Sequence, residues 1–412
     1  MKKITILISL LIISFVTFGQ DTIKLNFQDA EKIFIQNNLD LIASHYSIDV
    51  NKSLIRQSRL WDNPSLNTDQ NIYDDLYKKY FIHSLPLFGA NDPAGQIFMQ
   101  ITQSIKTAHK RGYLIDMAEN QTNITQDQFD DLLRNIRYQI HNDLLQLSYY
   151  SKQSAIYNNQ ISLYSKEKDS TGILKSIIFS LKNDLVTVNV NSIAIESDLK
   201  TLLGIKNNVS IVPVFSYNFK DLVTFKTSIS DLYDGLDNRY DIKITEDQIK
   251  LSISNLNYQK SLAYPDINLG IEWDQRSSYT TNYWGLDISF PLPILNRNQG
   301  NIKSANFLVE QQKSSAQSVR LKSENEINKA YKTMLFYQSV NNADQLSYSN
   351  EDFKSKEESI RNYKNGKMSL SDLILSLNTY KDNRLKVLDQ HQSLILSIET
   401  LNFLSNKQLF KF

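Results

Sequence analysis

Tyr264–Ala305 reads YPDINLGIEWDQRSSYTTNYWGLDISFPLPILNRNQGNIKSA. Its first part alternates. Pro265, Ile267, Leu269, Ile271 and Trp273 fall on one face, and Asp266, Asn268, Gly270, Glu272 and Asp274 on the other. Period two over about ten residues predicts a strand with one apolar face. A polar turn at Arg276–Thr280 leads into a second alternating run, Trp284, Leu286, Ile288 and Phe290 against Tyr283, Gly285, Asp287 and Ser289. Two such strands of about 9–11 residues, with aromatics among the apolar positions, fit a hairpin of a membrane β-barrel. A half-buried hairpin of a soluble sheet alternates in the same way, so the rest of the chain has to decide.

The chain has 412 residues, no Cys and a formal net charge of +1. Disulfides and thiolate metal sites are excluded, and the charge gives no pull towards nucleic acid. The five His and five Met do not cluster, so no metal site is legible. Residues 1–19 read as a secretory signal: Lys2 and Lys3, an apolar run from Ile4 to Phe18, and small residues Thr17 and Gly19 before a cut after Gly19. Beyond it no apolar run reaches the roughly 20 residues of a spanning helix. A secreted chain can still enter an outer membrane as strands, because a closed barrel satisfies every backbone group.

Proline and glycine placement sets the helices. None of the seven prolines lies between Pro93 and Pro213 or after Pro293. Gly172 is the only glycine within 113–203, and Gly366 the only one within 301–412. Such breaker-free runs, each with one central Gly, predict helical hairpins over about 112–203 and 302–406. The spacing of Leu132, Ile136, Ile140, Leu144 and Leu147 supports the first, and that of Leu370, Leu373, Ile374 and Leu377 the second. Each outgoing arm is about 58 residues, or roughly 85 Å, which suggests an extended coiled-coil object. Asn26–Trp61 and Ser228–Leu262 are helical by pattern and have the length missing from the returning arms.

The chain also repeats. Pro64, Leu66 and Asn67 meet Pro265, Ile267 and Asn268 at an offset of 201, and Gly172 meets Gly366 at 194. This predicts a single protomer over 20–412 made of two repeats, about 26–204 and 228–406. Its four strands are expected at about 64–73, 95–105, 264–274 and 282–291. The long loop 74–94 would lie on the outer side. Four strands cannot close a barrel, which takes about eight. A ring of three chains would supply twelve strands and twelve helical columns.

With these elements in place, the chain resembles the TolC family of outer-membrane efflux channels over essentially its whole mature length. The run Pro291–Gly300 resembles the P-x-P–NRNxG segment of the heavy-metal and cation efflux branch. Tyr363, Gly366 and Asp372 match the family's pattern at the second helical bend, and Leu202–Leu203–Gly204 its end of the first half. The fold class implied is mainly α with membrane β: long helical hairpins plus four strands of a trimeric 12-strand barrel.

The resemblance implies a passive, homotrimeric duct in the outer membrane of a Gram-negative bacterium, contacting outer-membrane lipid and reaching into the periplasm. Its partners would be a periplasmic adaptor and an inner-membrane pump of the RND class; the Pro291–Gly300 resemblance favours metal cations as cargo, with drugs or other small molecules the open alternative. Gly172, Ile173, Leu174, Gly366, Lys367 and Met368 would form the adaptor-contacting tip, and Asp372 a periplasmic gate. Ile178 replaces the equivalent acid in the first half and Leu375 stands where some members place a second Asp. One acidic ring is therefore expected, closing by salt bridges or by apolar packing.

Each of these residues also has a plainer reading. Asp372 suits a helix's first turn through the dipole alone, whereas three copies on an axis would concentrate cations. Glu272, Asp274 and Asp287 are candidate lumen acids or ordinary solvated polar residues. Gly172 and Gly366 are bends that need positive φ, which is compatible with adaptor contact. Trp273 and Trp284 read as interfacial aromatics. His83, in the long loop, and His109, His141 and His391, in helices, read as ordinary polar residues. No catalytic or phosphate-binding motif is present, so no enzyme activity, catalytic residue or cofactor is expected. The competing reading is a periplasmic adaptor, a structural coiled-coil protein of an efflux or secretion complex. Such a protein usually has one hairpin flanked by small β-domains, against two hairpins here.

Overall fold

A computed structural model of the chain describes residues 21–75, 78–80, 96–167, 172–206, 208–341 and 343–412. The expected signal peptide, His83 and most of the 74–94 loop lie outside them. In chain order the elements are β1 (Asp21–Leu25), α1 (Phe27–Asn37), α2 (Leu39–Ser58), β2 (Ser65–Gln70), β3 (Tyr73–Asp74), β4 (Lys79–Tyr80) and β5 (Ile97–Ile105). Then come α3 (Lys110–Ser165), α4 (Ile173–Leu203), β6 (Val209–Pro213), α5 (Phe219–Thr224), α6 (Ile229–Tyr233) and α7 (Tyr240–Ser261). The last are β7 (Ile267–Arg276), β8 (Thr281–Ser289), α8 (Gln299–Val340), α9 (Ala343–Lys364) and α10 (Leu370–Leu404). No helix among the described residues is long and apolar enough to cross a membrane.

The chain divides into two compact units, one comprising the chain up to His45, Phe129–Ile242 and Arg320–Phe412, the other Tyr46–Gln128 and Lys243–Val319. The second unit holds a four-stranded antiparallel sheet in the order β2-β5-β7-β8. The two predicted hairpins are thus joined into one sheet by β5–β7 pairing across the repeats, with Ile101 opposite Ile271 and Ile105 opposite Ile267. The start of β7 is held by buried Lys110, whose Nζ reaches Asp266 Oδ1 and the Tyr264 carbonyl, both at 2.6 Å. Thr107 adds its backbone N–H to Asp266 Oδ1 at 2.9 Å. Together these groups fix where the strand leaves the helix.

In the first unit, a core of Leu25, Phe34, Ile140, Leu144, Leu199 and Leu203 joins β1, α1, α3 and α4. The segment 205–227, which carries no clear periodicity, forms β6 and α5. β6 pairs in parallel with β1, Ile23 opposite Ile211. Gln338 then holds the following turn by donating to the carbonyls of Leu222 (2.9 Å) and Phe225 (2.8 Å).

Three expected continuous helices are interrupted. Asn26–Trp61 splits at Asn38, whose Oδ1 accepts from Leu41 N–H at 2.8 Å and whose amide donates to Leu202 O at 2.8 Å. The side chain caps a new helix rather than extending the old one. Ser228–Leu262 splits around Gly235, where an added Cβ would lie 1.9 Å from Ser405 O. The long arm after the second hairpin stops at Val340 and restarts at Ala343, and Asn341 caps the break by donating its side-chain amide to Tyr337 O at 2.7 Å. His109 is not helical: it has φ +61° just before α3 starts.

Candidate functional site

The register sorts the sheet into two faces of opposite chemistry. One row runs Leu66–Ile101–Ile271–Leu286, and the next runs Met99–Trp273–Trp284. Most of these side chains are exposed, Leu66 by 67%, Ile271 by 60%, Leu286 by 70% and Trp284 by 71%, while Met99 and Trp273 are half-buried. Burying a large apolar side chain is worth about 1.5–3 kcal/mol. A row of them left in water forfeits that several times over, and contiguous exposed apolar patches mark a protein or membrane contact.

The opposite face carries the rows Asn67–Gln100–Glu272–Gly285 and Asp69–Phe98–Asp274–Tyr283, with Asp287 beside Gly270. All three predicted acids therefore share one face. Glu272 Oε2 accepts from Gln100 Nε2 at 3.4 Å and Asp274 Oδ1 from Gln96 Nε2 at 3.4 Å. Glu272 lies across Gly285, where an added Cβ would come within 2.7 Å of Oε1, so the glycine makes room for the carboxylate. Asp69 is a fourth acid on this face. The alternation of Leu66 and Thr68 with Asn67 and Asp69 carries that signal in the sequence. Both sheet edges, β2 and β8, lack a neighbouring strand among the described residues.

The hairpin bends form a second candidate site. Gly172 (φ +79°) and Gly366 (φ +70°) adopt the left-handed conformation, and an added Cβ at either meets nothing within 4 Å. The turns need glycine for backbone reasons alone. Beneath them, Tyr164, Leu174, Leu181, Leu373 and Leu377 make a closed apolar core. Of the six expected tip residues, Gly172, Ile173, Gly366 and Lys367 are exposed, whereas Met368 is half-buried. Leu174 departs from expectation: it is 2% exposed and packs inward, because the first turn of α4 must bury one residue against α10.

Asp372 is exposed and sits in a capping arrangement. Its backbone N–H donates to Ser369 Oγ at 3.2 Å, and Ser369 Oγ–H donates to Asp372 Oδ2 at 2.6 Å. Ser369-x-x-Asp372 is a legible start signal that the reading of Asp372 as a ring residue passed over. Leu375, one turn on, is also exposed.

Two histidines are more than ordinary polar residues. His141 is clamped between Glu399 (Nδ1–Oε1 2.6 Å) and Glu31 (Nε2–Oε1 3.0 Å), and its ring stacks on Phe27 at 3.8 Å. Burial opposes its charged form, but hydrogen bonds to Glu31 and Glu399 and their charges outweigh that and raise its pKa. Glu31 is half-buried; that burial opposes its charged form, but His141 and Arg137 outweigh it and lower its pKa. Asn402 extends the cluster to the C-terminal segment by donating to Glu399 Oε2 (2.9 Å) and accepting from Leu409 N–H (2.9 Å). His391 stacks on Phe219 at 3.6 Å, and burial, with the charges of Lys152 and Arg384, pushes its pKa down to about 4. Partners so far apart in sequence leave no local signal.

No protein-family model matches the sequence, and no curated protein matches it. Solved structures do. The outer membrane protein VceC from Vibrio cholerae superposes with a TM-score of 0.72 at 11% identity, over 92% of this chain and 96% of that one. The CmeC outer membrane channel of Campylobacter jejuni gives 0.73 at 12%, over 92% and 85%. The open state of the MtrE outer membrane channel of Neisseria gonorrhoeae gives 0.72 at 13%, over 93% and 89%. At such identities the likeness speaks for architecture, and the architecture of this chain is the TolC-type fold of outer-membrane channels.

Proposed function

We propose that this chain is one third of a passive outer-membrane duct, the exit component of an efflux system. The observation that carries the reading is the sheet: four strands, two open edges, one apolar face left bare and one acid-bearing polar face. A membrane span must pair every edge. Three copies, β8 of one against β2 of the next, would give a closed twelve-stranded wall with the apolar rows towards lipid and Glu272, Asp274 and Asp287 towards the lumen. The helices carry a matching deficit. Phe179, Val186, Val190 and Ile193 stay exposed on α4 at spacings of seven, four and three, the spacing of a helix seam that a partner would cover.

In this reading the Gly172 and Gly366 bends are the periplasmic end. Ile173, Lys367 and the rim of Met368 meet a periplasmic adaptor coupled to an inner-membrane pump of the RND class, and Asp372 forms a single acidic ring at the gate. Energy comes from the pump, so the duct needs no cofactor. The resemblance of Pro291–Gly300 to the cation branch and the acids of the polar face favour metal cations as cargo; three-fold repetition of those acids would enrich cations at the exit. The test is outer-membrane fractionation with heat-modifiable migration and crosslinking of detergent extracts. A trimer in the outer membrane is expected. Monomers only, or fractionation with the periplasm or inner membrane, would overturn the duct.

A further inference from the structure

The first unit carries a second, unrelated feature. α3 and α10 pack antiparallel, tied by Tyr149 Oη to Asp389 Oδ1 (2.5 Å) and Gln160 Nε2 to Leu377 O (3.1 Å). Between these ties, under the segment 213–219, they leave a cavity of about 870 Å³. That lies within the usual range of small-molecule sites, about 300–1,000 Å³.

Its lining is one-sided in charge. Lys152, Lys381, Arg384 and His391 contribute to the wall, and among the described residues no Asp or Glu does. Lys381 is already paired with Asp382 at 3.1 Å. Lys152 and Arg384 form no ion pair among the described residues, and both act electrostatically on His391. Gln392 Nε2 is buried without a hydrogen-bond partner among the described residues. Lys152 and Arg384 reach solvent but face no carboxylate of the wall, so an anion between them would gain from both charges. The remaining wall is mixed: aromatic Tyr217, Tyr380 and Phe219, the last stacked on His391, beside aliphatic side chains such as Ile156 and Leu388. Asn341, 3% exposed, adds a buried Oδ1 with no partner among the described residues, a place for one hydroxyl or N–H.

We infer that this groove is a binding site for small organic anions, a carboxylate or phosphate joined to an aromatic or apolar body. Lys152 and Arg384 take the acid group, Gln392 donates to it, and the Phe219–His391 stack and Tyr380 hold the body. A charged head on an apolar body matches the wall better than a helix of a second copy, which would need acids at the level of Lys152 and Arg384. Every residue that lines the groove belongs to the first unit.

The test uses the full-length protein in detergent and calorimetric titration with 4-hydroxybenzoate, phenyl phosphate and uncharged 4-hydroxybenzyl alcohol. The first two distinguish carboxylate from phosphate. At least one should bind saturably, once per chain, with the alcohol weaker by about tenfold or more, the weight of a charge-assisted hydrogen bond. Lys152→Gln and Arg384→Gln should each weaken the anion about tenfold. Lys381→Gln, whose ammonium is already paired, should weaken it less. Absence of saturable binding, equal binding of the alcohol, or an unchanged Lys152→Gln/Arg384→Gln double variant would overturn the inference. So would a double variant that loses its oligomeric state while keeping anion affinity. Lys152 and Arg384 are both exposed, so each substitution should leave folding intact and either one carries the test.

Discussion

Ile271→Arg puts the sheet's apolar face to the test. Ile271 lies on an inner strand, between Ile101 and Leu286, and is 60% exposed in the single chain. In water such a substitution removes little packing, so stability should move by about 0.5 kcal/mol or less. In lipid, arginine near the bilayer midplane of a barrel costs about 2–4 kcal/mol, a roughly 30- to 700-fold loss in the folding equilibrium. Asn67→Arg, on the opposite face, supplies the control, because a lumen-facing arginine stays hydrated. The assay is equilibrium refolding from urea into phosphatidylcholine vesicles, read by heat-modifiable migration and by tryptophan emission. Trp273 and Trp284 share the Ile271 face, so brominated lipid should quench them in the native protein. Equal midpoints for Ile271→Arg and Asn67→Arg, or no quenching by brominated lipid, would refute the lipid-facing assignment.

Asp372→Ala should raise single-channel conductance if Asp372 closes the duct, whereas Ser369→Ala, which removes only the cap, should lower stability by about 1 kcal/mol with conductance unchanged; unchanged conductance in Asp372→Ala would leave Asp372 a capping residue alone. Gly366→Ala should cost about 1–2 kcal/mol through its φ of +70° and not through crowding, since nothing lies within 4 Å of the added methyl; a urea midpoint equal to wild type would contradict the left-handed bend. His141, whose pKa is raised from 6.5, contributes stability that is complete below about pH 6.5 and lost as pH rises through its higher folded value. His141→Gln should therefore flatten the alkaline side of the stability profile. Glu31, whose pKa is lowered from 4.5, contributes above that value and loses its contribution as pH falls through the lower folded value; His141 and Arg137 share that lowering, so in His141→Gln the acid side should shrink but not vanish. A variant profile parallel to wild type from pH 5 to 9 would remove the clamp.

Sequence alone determined whatever depends on neighbouring residues. The two-residue alternation of Ile267–Trp273 and Trp284–Phe290 fixed two strands and which side of each is apolar. The absence of breakers marked the long helices, though not the break at Asn341, and Gly172 and Gly366 marked their bends, because only glycine takes positive φ without cost. Tertiary structure decided what depends on residues far apart. β5 joins β7 across the repeats, β1 finds β6 in parallel, and Asn38 ends one helix by capping the next. Leu174 turns inward to a core shared with Leu373, and His141 lies between Glu31 and Glu399. A short-range pattern sets the period and direction of a side chain, but its partner is chosen by packing and hydrogen-bond satisfaction in the closed fold, which no local window of sequence contains.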